Sequence, residues 1–260
     1  MRINPKANPE SKVAVGAPLA IEVKNLSKRY AASKSYAVQD VTFSCRKGEV
    51  VGVLGSNGAG KSTTLKCLCG VLSFDEGEVA VAGHDILSDA VRAKRAVGFV
   101  GDSHYLPEVM TGTEFLSFMA DMYGVSDEAR SAAFDRLVPV FGLGGVVNDQ
   151  ICSYSHGTRQ KLCMVGSLIH SPEVWILDEP TVGLDPSSLR ITENLMRDFA
   201  SGGGCVLFST HNTDAVERVC DRVVVLHDGT CAAQVDLRTE EGREAFGRYV
   251  ESIMSGGGRQ

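Results

Sequence analysis

Several kinds of protein are excluded by what this 260-residue chain lacks. Apolar residues never run for the roughly 18–20 positions that a membrane-crossing helix needs, so no span is expected. The opening MRINPKANPESKVAVGAPLA has no apolar core of a secretion signal. Positive charge is not in excess: 26 Lys and Arg stand against 32 Asp and Glu, a formal net charge of −6. A general nucleic-acid binder shows a basic surface, so no nucleic-acid partner is expected. The histidines show no His-x-x-x-His spacing, and there are neither internal repeats nor sustained heptads. Cysteines are present, but Cys67, Cys69, Cys163, Cys205 and Cys220 lie among apolar neighbours. Without a secretion signal they read as small buried hydrophobes in a reducing compartment. Cys67 and Cys69 stand two apart on an expected helix, where side chains do not face each other, so a metal site there is not expected. These absences leave a cytosolic chain that reaches a membrane only through a partner.

What is present reads as alternating strands and helices. Residues 1–19 are polar, with Pro5, Pro9 and Pro18, and read as a loose leader. LAIEVKNL and YAVQDVTFSC then alternate as strands. EVVGVLG is a continuous apolar run ending at Gly55, as in a strand buried on both faces. STTLKCLCGVL has helical spacing through Leu65, Leu68 and Leu72. GEVAVAGHDI reads as a strand pair and VGFVG as a short strand. From Ser103 to about Gln150 two amphipathic helices intervene, TGTEFLSFMADMYGV and SDEARSAAFDRLVPVFGL. Thr111 with Glu114 forms a capping-box pattern, and Ser126 caps the second helix. Then come a helix, the strand VWILDEP, a helix, the strand CVLFST, a helix and the strand DRVVVLHDG. That alternation predicts an α/β fold with a mostly parallel sheet covered by helices. SGGG at Ser201 reads as a helix-to-strand turn, and at Ser255 as a frayed tail.

The chemistry concentrates in two stretches. Gly55-Ser56-Asn57-Gly58-Ala59-Gly60-Lys61-Ser62 fits G-x-x-x-x-G-K-[ST], and Thr63 follows. Set between a strand and a helix, such a loop points backbone N–H groups inward at phosphate oxygens. The helix N-terminus favours the same anion. Lys61 would reach the β- and γ-phosphates and Ser62 would bind Mg²⁺. The alternative is a glycine-rich turn with no ligand. In VWILDEP a buried strand ends in two carboxylates. Asp178 would hold the Mg²⁺ shell, and Glu179 would polarise a water for attack on the γ-phosphate. The alternative is an exposed acidic turn.

With these motifs in this order the chain resembles the ATPase subunits of ATP-binding-cassette (ABC) transporters, over roughly residues 20–235. The resemblance implies a P-loop ATPase domain over 20–237, with an antiparallel β subdomain and a helical subdomain at about 103–165. A C-terminal helix and tail would fill 238–260. ATP and Mg²⁺ are the implied cofactors. Tyr30, in LSKRY, matches the family's adenine-stacking aromatic. Ser155-His156-Gly157-Thr158-Arg159-Gln160, preceded by Tyr154, resembles the signature segment, whose Ser155 and backbone amides near Gly157 would grip the γ-phosphate of ATP held by a second ABC subunit. Val182-Gly183-Leu184-Asp185 resembles the loop through which the two sites touch. Ser209-Thr210-His211 resembles the switch that sets His211 on the γ-phosphate. Two positions depart from the pattern. Asp102 stands where the family usually has a metal-touching Gln, and a carboxylate can still serve Mg²⁺. His156 replaces a common Gly and is expected to point outward. The resemblance further implies a second ATPase subunit, identical or related, and a separate transmembrane permease. It places the chain on the cytoplasmic side of the cell membrane, closest to drug, lipid or ion exporters. A soluble ABC ATPase working in assembly, or a phosphate-loop kinase or GTPase, is the competing reading.

Overall fold

The computed structural model describes residues 17–31, 35–103 and 105–256, the last five for their backbone alone. The leader expected over 1–19 therefore lies outside the described residues up to position 16. Leu19 already opens the first strand.

Two sheets organise the chain. The smaller joins β1 (Leu19–Lys28), β2 (Val38–Arg46), β4 (Glu76–Val81) and β5 (His84–Asp85) in the antiparallel order β2-β1-β4-β5. The larger draws on β3 (Val50–Leu54), β6 (Val97–Val100), β7 (Val174–Leu177), β8 (Cys205–Thr210), β9 (Arg222–His227) and β10 (Thr230–Asp236). Its order is β10-β9-β3-β8-β7-β6. Every pairing in it is parallel except that of the edge strand β10.

Burial on both faces explains why β3, β7 and β8 are continuously apolar or small. Alternate residues feed two separate cores. Val51, Val53, Val174, Ile176 and Leu207 face the smaller sheet and α1 (Lys61–Leu68). Val50, Leu54, Trp175, Leu177 and Phe208 face the opposite layer. That layer contains α3 (Gly112–Tyr123), α4 (Asp127–Val140), α5 (His156–Leu168), α6 (Pro186–Ser201), α7 (Thr213–Val219) and α8 (Glu240–Gly256). The short α2 (Ala90–Arg95) leads into β6. Trp175 is fully buried, and its indole N–H donates to Ser167 Oγ at 2.9 Å. The ring's polar edge is thus satisfied inside the core.

The helices between β6 and β7 start where their caps predict. Thr111 Oγ1 accepts from Glu114 N at 3.2 Å, and Glu114 Oε2 accepts from Thr111 N at 2.8 Å. Ser126 accepts from Ala129 N at 3.3 Å. Two helix ends differ from the sequence reading. α1 stops at Leu68 rather than reaching Leu72, because Gly70 turns left-handed at φ 60°. The tail expected at Ser255 is still helical, since α8 runs to Gly256.

The parallel strands put their C-terminal ends together. β3 runs into Gly55, β6 into Asp102, β7 into Asp178 and β8 into His211. This is the end of an open parallel sheet where ligands gather.

Candidate nucleotide site

The loop from Gly55 to Gly60 turns the chain from β3 into α1. Gly60, just before the helix, adopts φ 99°, and a Cβ there would lie 2.6 Å from Ala37 O. Only glycine fits such a position. The first N–H groups of α1 have no partner within the helix and point out of its start. Lys61 is 5% exposed. Its ammonium is curled into the loop, donating to Gly55 O at 2.8 Å and Ser56 O at 3.2 Å. It also lies 3.2 Å from Glu179 Oε1.

The two carboxylates after β7 differ in role. Asp178 is 2% exposed and accepts on Oδ1 from Ser62 Oγ at 3.0 Å and from Ser209 Oγ at 2.6 Å. Its Oδ2 is buried with no hydrogen-bond partner among the described residues. A buried charged oxygen without a partner is costly, and a hard cation beside Ser62 would satisfy it. Glu179 stands at φ 49°, a conformation that non-glycine residues rarely adopt. Its N–H donates to Ser209 Oγ at 2.8 Å, which holds the turn. Its Oε2 lies 3.1 Å from His211 Nδ1. Glu179 thus bridges the loop lysine and the histidine after β8.

The remaining expected residues fall in two groups. Tyr30 is 44% exposed, and its hydroxyl lies 3.2 Å from Thr63 Oγ1, so the ring flanks the start of α1. Asp102 is paired with Lys66, one helical turn beyond Ser62, at 3.3 Å. Ser155 to Thr158 lie elsewhere, at the start of α5. Ser155 caps that helix, accepting from Thr158 N at 3.2 Å. His156 is exposed there, and its ring lies beside Gly183, whose added Cβ would come within 3.2 Å of Nδ1. Asp185 caps α6 by accepting from the N–H groups of Ser187 and Ser188. Hydrogen bonds from the Ser187 and Ser188 side chains, then from their backbone, hold its carboxyl far below the usual range.

Sequence reasoning assigned no role to two residues that the structure ties to the site. Ser209 holds both Asp178 and Glu179. Gln160, 1% exposed on α5, donates to Pro180 O at 2.6 Å and so joins the start of α5 to the Glu179 turn. Ser209 opens Ser209-Thr210-His211 and Gln160 closes Ser155–Gln160, each beside residues with more obvious chemistry.

The family model described as ABC transporter matches residues 38–182. The chain belongs to the ABC transporter family. The ATP-binding protein NatA of Bacillus subtilis (strain 168) is 34% identical over 212 residues, covering 80% of this chain and 86% of NatA. The daunorubicin/doxorubicin resistance ATP-binding protein DrrA of Streptomyces peucetius is 36% identical over 215 residues, 83% of this chain and 64% of DrrA. A solved ATP-binding subunit of an ABC transporter superposes with a TM-score of 0.81 at 32% identity, over 88% of this chain and 93% of that one. A dimeric ATP-binding cassette bound to ADP and Pi in a post-hydrolysis state superposes with a TM-score of 0.76 at 25% identity. That match covers 84% of this chain and 99% of the other. The fold is therefore the P-loop ABC cassette, and the chain is an ATP-binding, ATP-hydrolysing subunit of an ABC transporter. No helix among the described residues is long and apolar enough to cross a membrane.

Proposed function

We propose that this cassette hydrolyses Mg²⁺-bound ATP at the junction of Lys61, Ser62, Asp178, Glu179 and His211, and that hydrolysis drives export through a separate permease. The observation that carries the assignment is the bridge Lys61–Glu179–His211 beside the pair Ser62–Asp178. It gathers a phosphate cation, a candidate base, a histidine and two metal-ligand oxygens at one sheet end.

Each residue has a task in this reading. The backbone of Ser56, Asn57, Gly58 and Ala59 and the first turn of α1, Gly60 to Thr63, cradle the phosphates. Tyr30 stacks on the base. ATP displaces the Glu179 carboxylate from Lys61, whose ammonium then turns to the β- and γ-phosphates. Ser62 Oγ and Asp178 would hold Mg²⁺, which would supply positive charge against the developing phosphate charge. Asp102, at the same sheet end, would be a further oxygen donor for it. Glu179, freed from Lys61, orients and deprotonates the attacking water, and His211 donates to the γ-phosphate.

Ser155, His156, Gly157 and Thr158 would complete the site of a second cassette, with Asp185 at the junction. Among the described residues, a Cβ on Gly157 would meet nothing within 4 Å beyond its chain neighbours and its own helix backbone, so its own packing imposes no need for glycine. Close approach of an outside phosphate supplies one. ATP then favours the closed pair over the open one, and hydrolysis releases it.

The segment between β6 and β7, with a helical subdomain at about 103–165, would transmit that motion. A cleft of about 410 Å³ is lined by residues including the exposed Val71 together with Phe99, Phe115, Met119 and Tyr123. An apolar cleft with an exposed rim suits a protein contact, here the permease. The cassette would sit peripherally on the cytoplasmic side of the membrane. The name of a relative, the Nod factor export ATP-binding protein I of Burkholderia orbicola (strain AU 1054), 33% identical over 214 residues, speaks for export.

The test is affinity purification of the tagged chain from gently solubilised membranes of its own cells. A stoichiometric multi-span membrane protein is the expected companion. Soluble partners alone, with the chain outside the membrane fraction, would instead mark a soluble assembly ATPase.

A further inference from the structure

The turn before α2 and α2 itself expose apolar and basic side chains together. Leu87 is 66% exposed and Val91 69%. Ala93 is fully buried and turns one side of the helix into the core. At 3.6 residues per turn, the positions two before and two after Ala93 point the opposite way, so Val91 and Arg95 project outward together. Asp89 N bonds Asp85 O at 2.9 Å, the spacing of a helical turn, so Leu87 lies one turn before Val91 on that outer side. Arg92 and Lys94 flank it and, like Arg95, are exposed.

Charge sets this surface apart. The chain as a whole carries −6, yet Arg92, Lys94 and Arg95 stand close together in α2. Arg92 is answered by Asp89, whose other partner is His84. Among the described residues no ion pair holds Lys94 or Arg95. The remaining acid of the turn, Asp85, accepts from Leu87 N, Ser88 N and Ser88 Oγ.

α2 borders the apolar cleft assigned above to the permease. Lys94 lines that cleft, and a Cβ added to Gly70 would come within 2.8 Å of Lys94 Cε. A surface beside a permease contact meets either more permease or the lipid around it. Cytoplasmic loops of membrane proteins carry an excess of Lys and Arg, which would repel these bases. The cytoplasmic leaflet carries anionic headgroups, which attract a base by about fivefold in affinity. Aliphatic side chains set among bases suit the headgroup boundary.

We propose that Leu87, Val91, Lys94 and Arg95 rest on anionic lipid headgroups of the membrane that holds the permease. The contact turns an otherwise acidic chain cleft-first toward that membrane. This inference rests on the permease reading above, which makes the cleft the membrane-facing side.

The test is co-sedimentation of the purified full chain with vesicles that contain no permease. Vesicles of phosphatidylglycerol and phosphatidylcholine in equal parts are compared with phosphatidylcholine alone. The chain should partition at least about fivefold more strongly onto the anionic vesicles, and the preference should shrink as salt is raised. Lys94→Gln with Arg95→Gln should weaken that binding at least about tenfold. Leu87→Ser with Val91→Ser should weaken it as well, without altering charge. Arg248→Gln should leave it unchanged, because α8 follows β10, at the opposite sheet edge from the β6 that α2 precedes. The substituted side chains are exposed, so urea midpoints should match wild type. Equal partition onto both kinds of vesicle, or an equal loss with Arg248→Gln, would overturn the proposal. So would permease capture in detergent that depends on Lys94 and Arg95 while vesicle binding does not, which would give this surface to the permease. Failure of the permease reading shows itself separately, as purification from membranes with soluble partners alone.

Discussion

Ser209→Ala is the sharpest perturbation of the proposed catalytic turn. Ser209 is fully buried at the end of β8. Its hydroxyl donates to Asp178 Oδ1 at 2.6 Å and accepts from Glu179 N at 2.8 Å. The alanine variant loses both bonds and leaves a nearly buried backbone N–H without a partner. A hydrogen bond to a charged group contributes about 1.5–3 kcal/mol, and an unsatisfied buried donor costs about 1–3 kcal/mol. The unfavourable φ of Glu179 costs roughly a further 1–3 kcal/mol, which the Ser209 bond helps to sustain. Relaxation of that turn recovers part of the loss by moving Glu179 out of place. The variant should therefore unfold about 2–4 kcal/mol more easily in urea. Its kcat for ATP hydrolysis should fall at least about tenfold, a barrier increase near 1.4 kcal/mol. Nucleotide affinity should stay within about threefold, since Ser209 touches neither the phosphate loop nor Tyr30. Unchanged stability with kcat within twofold of wild type would refute the reasoning.

Three further outcomes follow from the same geometry. Glu179→Gln should abolish turnover while retaining ATP, read by single-turnover hydrolysis and equilibrium binding; full residual hydrolysis would remove Glu179 from the role of base. Lys61→Ala should weaken ATP binding at least about tenfold, because its ammonium is the phosphate cation; unchanged affinity by calorimetry would reject the loop assignment. His170 should make stability depend on pH. It stacks on Tyr123 with ring centroids 3.7 Å apart, its Nε2 meets Val97 O at 3.1 Å, and its Nδ1 is buried without a hydrogen-bond partner among the described residues. Burial lowers its pKa to about 4, against about 6.5 in the unfolded chain. The unfolded state therefore binds the proton first, and this contribution is complete above about pH 6.5 and drains away as pH falls toward 4. Urea unfolding at pH 4.5, 5.5 and 7 should show His170→Gln losing less stability on acidification than wild type. Parallel losses would contradict it.

The sequence was most legible where chemistry and local structure share a few consecutive residues. GSNGAGKST sits between a strand and a helix, and its glycines, lysine and hydroxyls state the loop's task without reference to the rest of the chain. The caps Thr111, Glu114 and Ser126 were equally plain, because capping is settled within one turn. The parallel sheet followed from uninterrupted apolar strands such as VWIL. What stayed hidden depends on contacts across long sequence separations. Ser209 was visible only as the residue before Thr210 and His211. Its position between Asp178 and Glu179 follows from the register of β7 against β8. Gln160 reaches Pro180 because α5 packs beside that turn. Asp102 was legible as an odd carboxylate, but its partner Lys66 was not, since nothing local joins β6 to α1. Gly70 ended α1 early through its backbone, against an apolar pattern that ran on to Leu72.

Head-to-tail pairing around ATP is the central claim of the proposal, in which the phosphate loop and the start of α5 would act in different cassettes, here tested for two copies of this chain. Its most direct test is sedimentation of the purified Glu179→Gln chain with and without Mg²⁺ and ATP, alone and carrying Gly157→Glu as well. The account predicts a monomer without nucleotide and a dimer with it. It also predicts that the added Gly157→Glu returns the chain to a monomer while ATP binding persists. A chain that binds ATP yet stays monomeric, or a dimer indifferent to Gly157→Glu, would contradict it.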